Sequence, residues 1–503
     1  MIHSDVSPNA HSPAWLRHSE LALAIWLLAL VVVGLVLTRH WPLVNDGALQ
    51  HYITFLSDAG LAPYRQIADM NLPGSLMMDW TVVHALGPGP VAWRAFDALL
   101  LLAASAAMLA ATWPYDSFAG SVSAALFWLL HARDGVGQTG QRDLMEATLL
   151  LVVVAAAFHA IRSGRQWAFA ALGLCAGIAA TIKPDSLLIS AIVLALTLTH
   201  LRDRSQALRL TLAAFVLPLL AAAAFLHHHH AMHAFWLSLT EITPFYARLG
   251  RQSTRELLRD CLSTPMRTLL ALTLLLSVLK RRRWTREKTI LAVATAWGLA
   301  SFFLQGKGYL YHRYPTLGFL LLWFAIESTD ALRSPGVLRP VAAAGLLYAS
   351  LIIAPLSLAR AAHATWNDAL LNALQTDLTR LGGSSLAGNV QCIDSISGCN
   401  IVLLRMRLPE QTGMLSDFLL FGPETESAVH RARVTFWSAI ITHPPRVIVV
   451  TGWLHPMGLD NFAKLALWPD FATFLTTHYT LTQQRSFAPG QNGPLAYRIY
   501  LLR

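Results

Sequence analysis

Apolar residues gather into eleven runs, near 20–38, 94–113, 118–131, 143–161, 167–182, 185–200, 208–226, 265–279, 289–305, 314–328 and 338–357. A helix rises about 1.5 Å per residue, so about 20 residues cross a hydrocarbon core. The longer runs predict transmembrane helices; the shorter ones borrow flanking residues or re-enter from one side. Two polar stretches between runs are long, at 41–79 and 227–264. From about residue 360 the pattern changes. Residues 364–381 keep helical spacing. The segments 400–406, 446–452 and 495–502 are short, β-branched or aromatic, and bounded by turn signals, which predicts strands. Helical stretches near 429–442 and 459–476 separate them. The expectation is an α-helical polytopic membrane protein with about eleven spans over 1–360, followed by a small α/β domain over 361–503.

Composition agrees with that reading. The chain is 55% hydrophobic and only 13% charged, about half the charge of a soluble domain. Its net charge of +10 does not imply nucleic acid, because no soluble basic face carries it. The cations sit instead in short loops at 162–166, 201–209, 280–288 and 329–339, which share one side if the runs alternate. The positive-inside rule makes that side cytoplasmic, next to anionic membrane lipid. The first run has no small-residue cleavage site after it and reads as an uncleaved span of the cytoplasmic (inner) membrane. The stretches 41–79, 131–142, 227–264 and 306–313, the turn at Lys183 and the C-terminal domain then face outward. Cys392 and Cys399, flanking IDSISG in that domain, are expected to form a disulfide, since thiols oxidise outside the cytoplasm.

The 41–79 stretch holds four carboxylates: Asp46, Asp58, Asp69 and Asp79. Within it, NDGALQHY followed by PYRQIADMNLPG resembles the first outer loop of the GT-C superfamily of membrane glycosyltransferases. The likeness is to the branch of protein mannosyltransferases and aminoarabinose transferases. GQRD at 140–143, the Gly-rich span that ends in Lys183-Pro184, and QGKGYLYHRYP at 305–315 are similar to later elements of that branch. Asn45 stands where the branch shows the first of two acids, and Asn71 where it shows a Lys. The resemblance covers roughly 20–360 and implies a GT-C-like fold whose first outer loop, 41–92, is catalytic. It also implies transfer of a sugar from a polyprenyl-phosphate carrier to a glycan, lipid or protein acceptor, commonly with inversion.

That reaction needs a carboxylate to take the acceptor's proton and donors for the charge growing on the departing phosphate. Asp46 is the candidate base; its competing role is to cap a helix that begins near Ala48. Asp69 is a second candidate, to orient the acceptor, to hold a divalent cation, or to stabilise a turn. Arg65, Arg142, Lys183, Lys307, His312 and Arg313 are the candidate phosphate ligands, cations placed on the side that the charge rule disfavours. The tract His227–His230 lacks metal-ligand spacing, so no metal site is read there. Residues 243–260 read as an amphipathic interfacial helix, and 451–458 as a loop that could bind or merely connect. Two other functions fit the same pattern: a flippase for lipid-linked sugars, and a polymerase or ligase using a diphosphate-linked glycan. Ionisable residues collected at one interface, rather than mid-membrane, favour the transferase.

Overall fold

The structure is a computed structural model and describes residues 13–113, 116–199, 203–280, 284–334, 336–364, 366–490 and 493–503. Arg202 and Arg281 to Arg283, from the expected basic loops, lie outside those residues. The chain forms two compact units. The first combines Met1–Trp41, Trp93–Ala221 and Gln252–Ala364; the second combines Pro42–Ala92, Ala222–Arg251 and Thr365–Arg503. This differs from the expected division at residue 360, because two polar insertions join the C-terminal residues.

In the first unit every apolar run is helical. Among the described residues six helices are long and apolar enough to cross a membrane: Ala14–Thr38, Pro90–Thr112, Arg142–Ser163, Arg204–His228, Arg286–Gln305 and Leu338–His363. The number is seven if Thr254–Cys261 and Thr264–Leu279, bent by 78°, count as one broken span. Ser117–Asp134, Gln166–Ile182, Ser186–Leu198 and Tyr314–Arg333 complete the eleven. The chain is a multi-pass membrane protein, and its expected runs are met helix for helix though not length for length. Tyr314–Arg333 is enclosed on nearly all sides by Leu, Phe and Trp packing.

Local chemistry sets the helix ends. Asp116 accepts from the Ala119 amide at 3.0 Å and caps Ser117–Asp134. Ser253 and Glu256 form a reciprocal capping box. Gly306 closes Arg286–Gln305 in the left-handed conformation, φ +68°. Charges sort by end. Arg162 meets Glu287 at 3.4 Å, Arg286 donates to Thr199 at 2.8 Å, and Lys280 meets Asp330 at 2.7 Å. Lys288 meets Glu327 at 3.0 Å, and Arg333 reaches Glu20 and Asp116 at 3.0 and 3.2 Å. The loops expected on one side therefore gather at one end of this unit.

The second unit is built on a four-stranded sheet. It contains β1 (Val390–Ile393), β2 (Val447–Thr451), β3 (Tyr479–Gly490) and β4 (Gly493–Leu502), in the order β1-β2-β4-β3. The β1–β2 pair is parallel and the others antiparallel. The parallel step requires a crossover, supplied by helices that include Cys399–Met406 and Ser427–Thr442. Residues 400–406 are thus helix, not strand, and β1 and β3 replace it in the sheet. Cys392 and Cys399 are joined by a disulfide with Cα atoms 6.0 Å apart, within the usual span. The region 459–476 forms a short 3-10 turn, Ala463–Leu467, and a helix, Pro469–His478. Residues 243–260 form two helices, Thr243–Arg248 and Thr254–Cys261, rather than one, with Gly250 at φ +56° between them.

Packing explains why the insertions belong here. Phe245 enters the domain core with Phe418, Ile448 and Val450. Arg248 pairs with Glu426 at 2.6 Å and Arg431 with Glu241 at 2.9 Å. Tyr52 donates to the Leu408 carbonyl at 2.9 Å, and the Ala68 amide to Gly413 at 2.9 Å.

Two glycines set how closely helices of the first unit approach. A Cβ on Gly173 would lie 2.1 Å from the Thr211 carbonyl oxygen, and one on Gly177 2.4 Å from that of Phe215. Small residues allow such backbone contact between membrane helices. Gly173→Ala should lower stability by about 1–3 kcal/mol, since overpacking against backbone outweighs the roughly 1 kcal/mol gain in helix propensity. Thermal unfolding in detergent reads this as a lower midpoint; a raised midpoint would show that the two helices part without penalty.

Candidate active site

The polar groups at the other end of the first unit build from the starts and stops of four helices. Asp143 lies in the first turn of Arg142–Ser163, with Glu146 beyond it. Lys183 is the residue that ends Gln166–Ile182. Its ammonium donates to Asp143 at 2.6 Å and to Gln305 at 3.2 Å, and lies 3.5 Å from Glu146. Burial opposes that charge, but Asp143, Glu146 and Asp185 outweigh it and raise the Lys183 pKa above its ordinary value. Gln305 donates in turn to Ser301 at 3.2 Å, and Ser301 to Asp185 at 2.6 Å. Lys183 is thus held by carboxylates of its own unit.

GQRD is fixed from beneath. The Gly140 amide donates to Asp97 at 2.7 Å, and Asp97 also meets Arg94 at 2.7 Å and His131 at 3.1 Å. Residues 306–308 are pinned by Gln252, whose amide donates to the Gly306 carbonyl at 2.8 Å. A Cβ on Gly308, at φ +67°, would overlap the Gln252 side chain. These two attachments position Arg142, half-buried, and Lys307, buried.

His312 and Arg313 close the cluster on the turn Leu310–Arg313. Burial drives the His312 pKa down to about 3, with Asp143 opposing and Lys183, Arg142 and Lys307 assisting. The side chain is therefore a neutral imidazole, not the cation expected from sequence. Arg313 forks onto Asp134 at 2.5 and 2.6 Å and donates to the Asp260 carbonyl at 3.3 Å and to Ser263 at 3.2 Å. Asp134 keeps it charged despite burial. Its geometry ties the turn to two helix ends instead of leaving the fork open to phosphate.

In the second unit Asp46 is half-buried in the first turn of Asn45–Asp58. The residue preceding that helix is Val44, with no side-chain cap, so Asp46 is not the cap. A first-turn carboxylate suits the helix dipole. Asn45 has φ +50°, a strained conformation for a side-chain-bearing residue. Asp69 is buried and accepts from the Asn71 amide at 3.2 Å and its side chain at 2.9 Å. That is the turn-stabilising geometry, and Ser238 further donates to the Asp69 carbonyl at 2.5 Å. Arg65 is exposed on the same loop, close enough to lower the pKa of His229, after burial and His228. Among the described residues no three His, Cys, Asp or Glu side chains converge as a metal site.

Sequence reasoning missed one buried group. His51 Nδ1 lies 2.6 Å from Asp79, and Thr54 donates to the other Asp79 oxygen at 2.6 Å, all nearly solvent-free. The only sequence signal is His51 and Thr54 three residues apart on one helix, since Asp79 lies 28 residues from His51 on the next.

No family model matches the chain, and no curated protein matches it in sequence. Solved structures do. ArnT from Cupriavidus metallidurans in the apo state aligns over 96% of this chain and 98% of its own, with a TM-score of 0.60 at 13% identity. The structure of that ArnT bound to undecaprenyl phosphate aligns over 97% and 98%, with a TM-score of 0.56 at 12% identity. The chain has the GT-C fold. In this chain the acid-bearing first insertion, the GQRD helix start and the 305–315 turn are all ordered by buried polar contacts.

The neutral His312 gives a pH signature. Unfolded histidine takes up its proton near pH 6.5, whereas folded His312 does so only near pH 3. Between those values the unfolded state binds more protons, so His312 contributes a loss of stability as pH falls through that window. His312→Asn should flatten the fall in melting midpoint between pH 6.5 and 4. An unchanged slope would assign it to other groups.

Proposed function

We propose that the protein is a membrane glycosyltransferase that moves a sugar from a polyprenyl-phosphate donor to a glycan, lipid or protein acceptor at the outer face of the cytoplasmic membrane. The observation that carries this reading is the fold shared over nearly the full length of both chains with ArnT, one structure of which holds undecaprenyl phosphate. The clustering of Arg142, Lys183 and Lys307 around His312 supports it.

In this mechanism Asp46 accepts the proton of the acceptor nucleophile as that atom attacks the anomeric carbon. The bond from that carbon to the phosphate oxygen breaks on the opposite face, which inverts the centre. The electron pair leaves on the polyprenyl phosphate; Arg142 and Lys307 of the first unit, and separately Arg65 of the second, are the candidate donors for its growing charge. Lys183 and Arg313 act one step back, as positioning residues for the segments carrying Arg142 and Lys307. Neutral His312 can donate one hydrogen bond without adding charge. Asp69 shapes the loop that carries Arg65. The fold alone does not favour transport, since sugar transfer needs no alternating exposure of the lipid.

Asp46→Asn should lower turnover about 10²- to 10⁴-fold with a melting midpoint lowered only slightly by the lost first-turn charge, measured with polyprenyl-phosphate sugar as donor. Lys307→Gln should weaken donor binding roughly tenfold, the loss of one charge-assisted hydrogen bond. Full turnover by Asp46→Asn would remove it as the base. Movement of labelled lipid between leaflets with no covalent transfer would replace the enzyme with a flippase.

A further inference from the structure

The second unit contains a cleft of about 580 Å³ that the proposed reaction does not use. That volume suits a small amphiphile. Leu43, Phe55, Val83, Ile401 and Leu404 give it an apolar lining, and Arg405 and Arg407 stand among them. Leu43, Phe55 and Val83 come from the first insertion, whereas Ile401, Leu404 and both arginines come from 401–407, so the lining is not the face of one amphipathic helix.

Charge at the cleft is net cationic. Its one acid, Asp58, lies 3.4 Å from His84. Arg405 meets Asp368 at 3.3 Å, with both side chains about a third exposed; such pairs exchange readily for a better partner. Arg407 is exposed and follows the helix Cys399–Met406 with φ +54°, a position that favours glycine. The next residue, Leu408, is buried and its carbonyl accepts from Tyr52. The backbone is thus locked on both sides of a strained arginine, and strain of this kind concentrates at ligand sites.

Chain connectivity places this cleft at a membrane surface. Pro42 and Leu43 follow the end of the Ala14–Thr38 span by four and five residues, a reach of at most about 18 Å. Pro90, also in the lining, is itself the first residue of the Pro90–Thr112 span. Trp80 and Leu86 are exposed on the intervening segment, as in an interfacial belt.

We propose that the cleft binds an anionic phospholipid of the surrounding bilayer, its phosphate between Arg405 and Arg407 and the start of its chains on Leu43, Phe55 and Leu404. Arginine forks match phosphate oxygens, and cations beside a bilayer select acidic headgroups. This does not depend on the glycosyltransferase reading, because it concerns occupancy and not turnover.

Native mass spectrometry of the full-length protein, titrated with phosphatidylglycerol, phosphatidylcholine or glycerol phosphate, tests it. One phosphatidylglycerol should be retained, roughly tenfold more tightly than phosphatidylcholine. R405Q/R407Q should lose about tenfold or more in that affinity, and Leu404→Trp, which fills the lining, should also weaken it. R407G removes one cation while relieving the backbone, so it should bind several-fold more weakly with an equal or higher melting midpoint, which separates lost binding from misfolding. Equal retention of the two lipids, or wild-type affinity in R405Q/R407Q, overturns the proposal. Displacement of phosphatidylglycerol by equimolar glycerol phosphate overturns it too, by making the site one for soluble phosphate esters.

Discussion

A charge taken out of water must bring its counter-charge with it, and the first unit is arranged around that constraint. Lys288 with Glu327, Lys183 with Asp143, and Arg313 with Asp134 all sit within the packed protein at distances of 2.5–3.0 Å. Each pair links helices far apart in sequence. Breaking one by removing a single partner strands the other charge, which is why such pairs enforce a unique arrangement of helices more than they add net stability. Their sorting to two ends follows, because neither end can exchange its charges across the apolar middle.

The same constraint explains what the chain's pattern revealed and what it concealed. The apolar runs are helical among the described residues, six or seven of them long enough to span, because in lipid only internally bonded backbone survives. In the C-terminal domain composition misled. Residues 400–406 have strand-like content, yet Asp394 accepts from the amides of Ser397, Gly398 and Cys399 at 2.8–2.9 Å and starts a helix there. That cap lies five residues upstream, beyond the usual capping window. β3 was hidden for the opposite reason. As an edge strand its side chains are half-buried or exposed over Leu481–Ala488, so no apolar alternation marks it.

Among the site candidates, residue types were legible and their commitments were not. Lys183, His312 and Arg313 all read as outward cations. Their roles depend on Asp143, 40 residues from Lys183, and on Asp134, 179 residues from Arg313. Burial then turns His312 into a neutral group. Linear spacing carries no information about either effect. Arg142 and Lys307 are left as the better phosphate candidates of that unit, because the attachments that hold them run through Gly140, Gly306 and Gly308, positions where backbone geometry restricts the residue.

The second unit makes a complementary point about what the α/β domain is for. Asn45, Tyr64 and Arg407 each hold a left-handed backbone without being glycine, and such strain persists only where neighbours over-determine it. Tyr64 donates to the Asn71 carbonyl at 2.6 Å, Tyr52 to the Leu408 carbonyl at 2.9 Å, and the Ala68 amide to Gly413 at 2.9 Å. Two of these three ties end on domain backbone at 408–413, and a Cβ on Gly413 would collide with the Gln66 carbonyl at 2.0 Å. A polar insertion of fifty residues has too little core to hold strained turns by itself. Docked on the buried strands β1 and β2 through 408–413, it can. The domain's contribution to the insertion is therefore rigidity, delivered through backbone contacts.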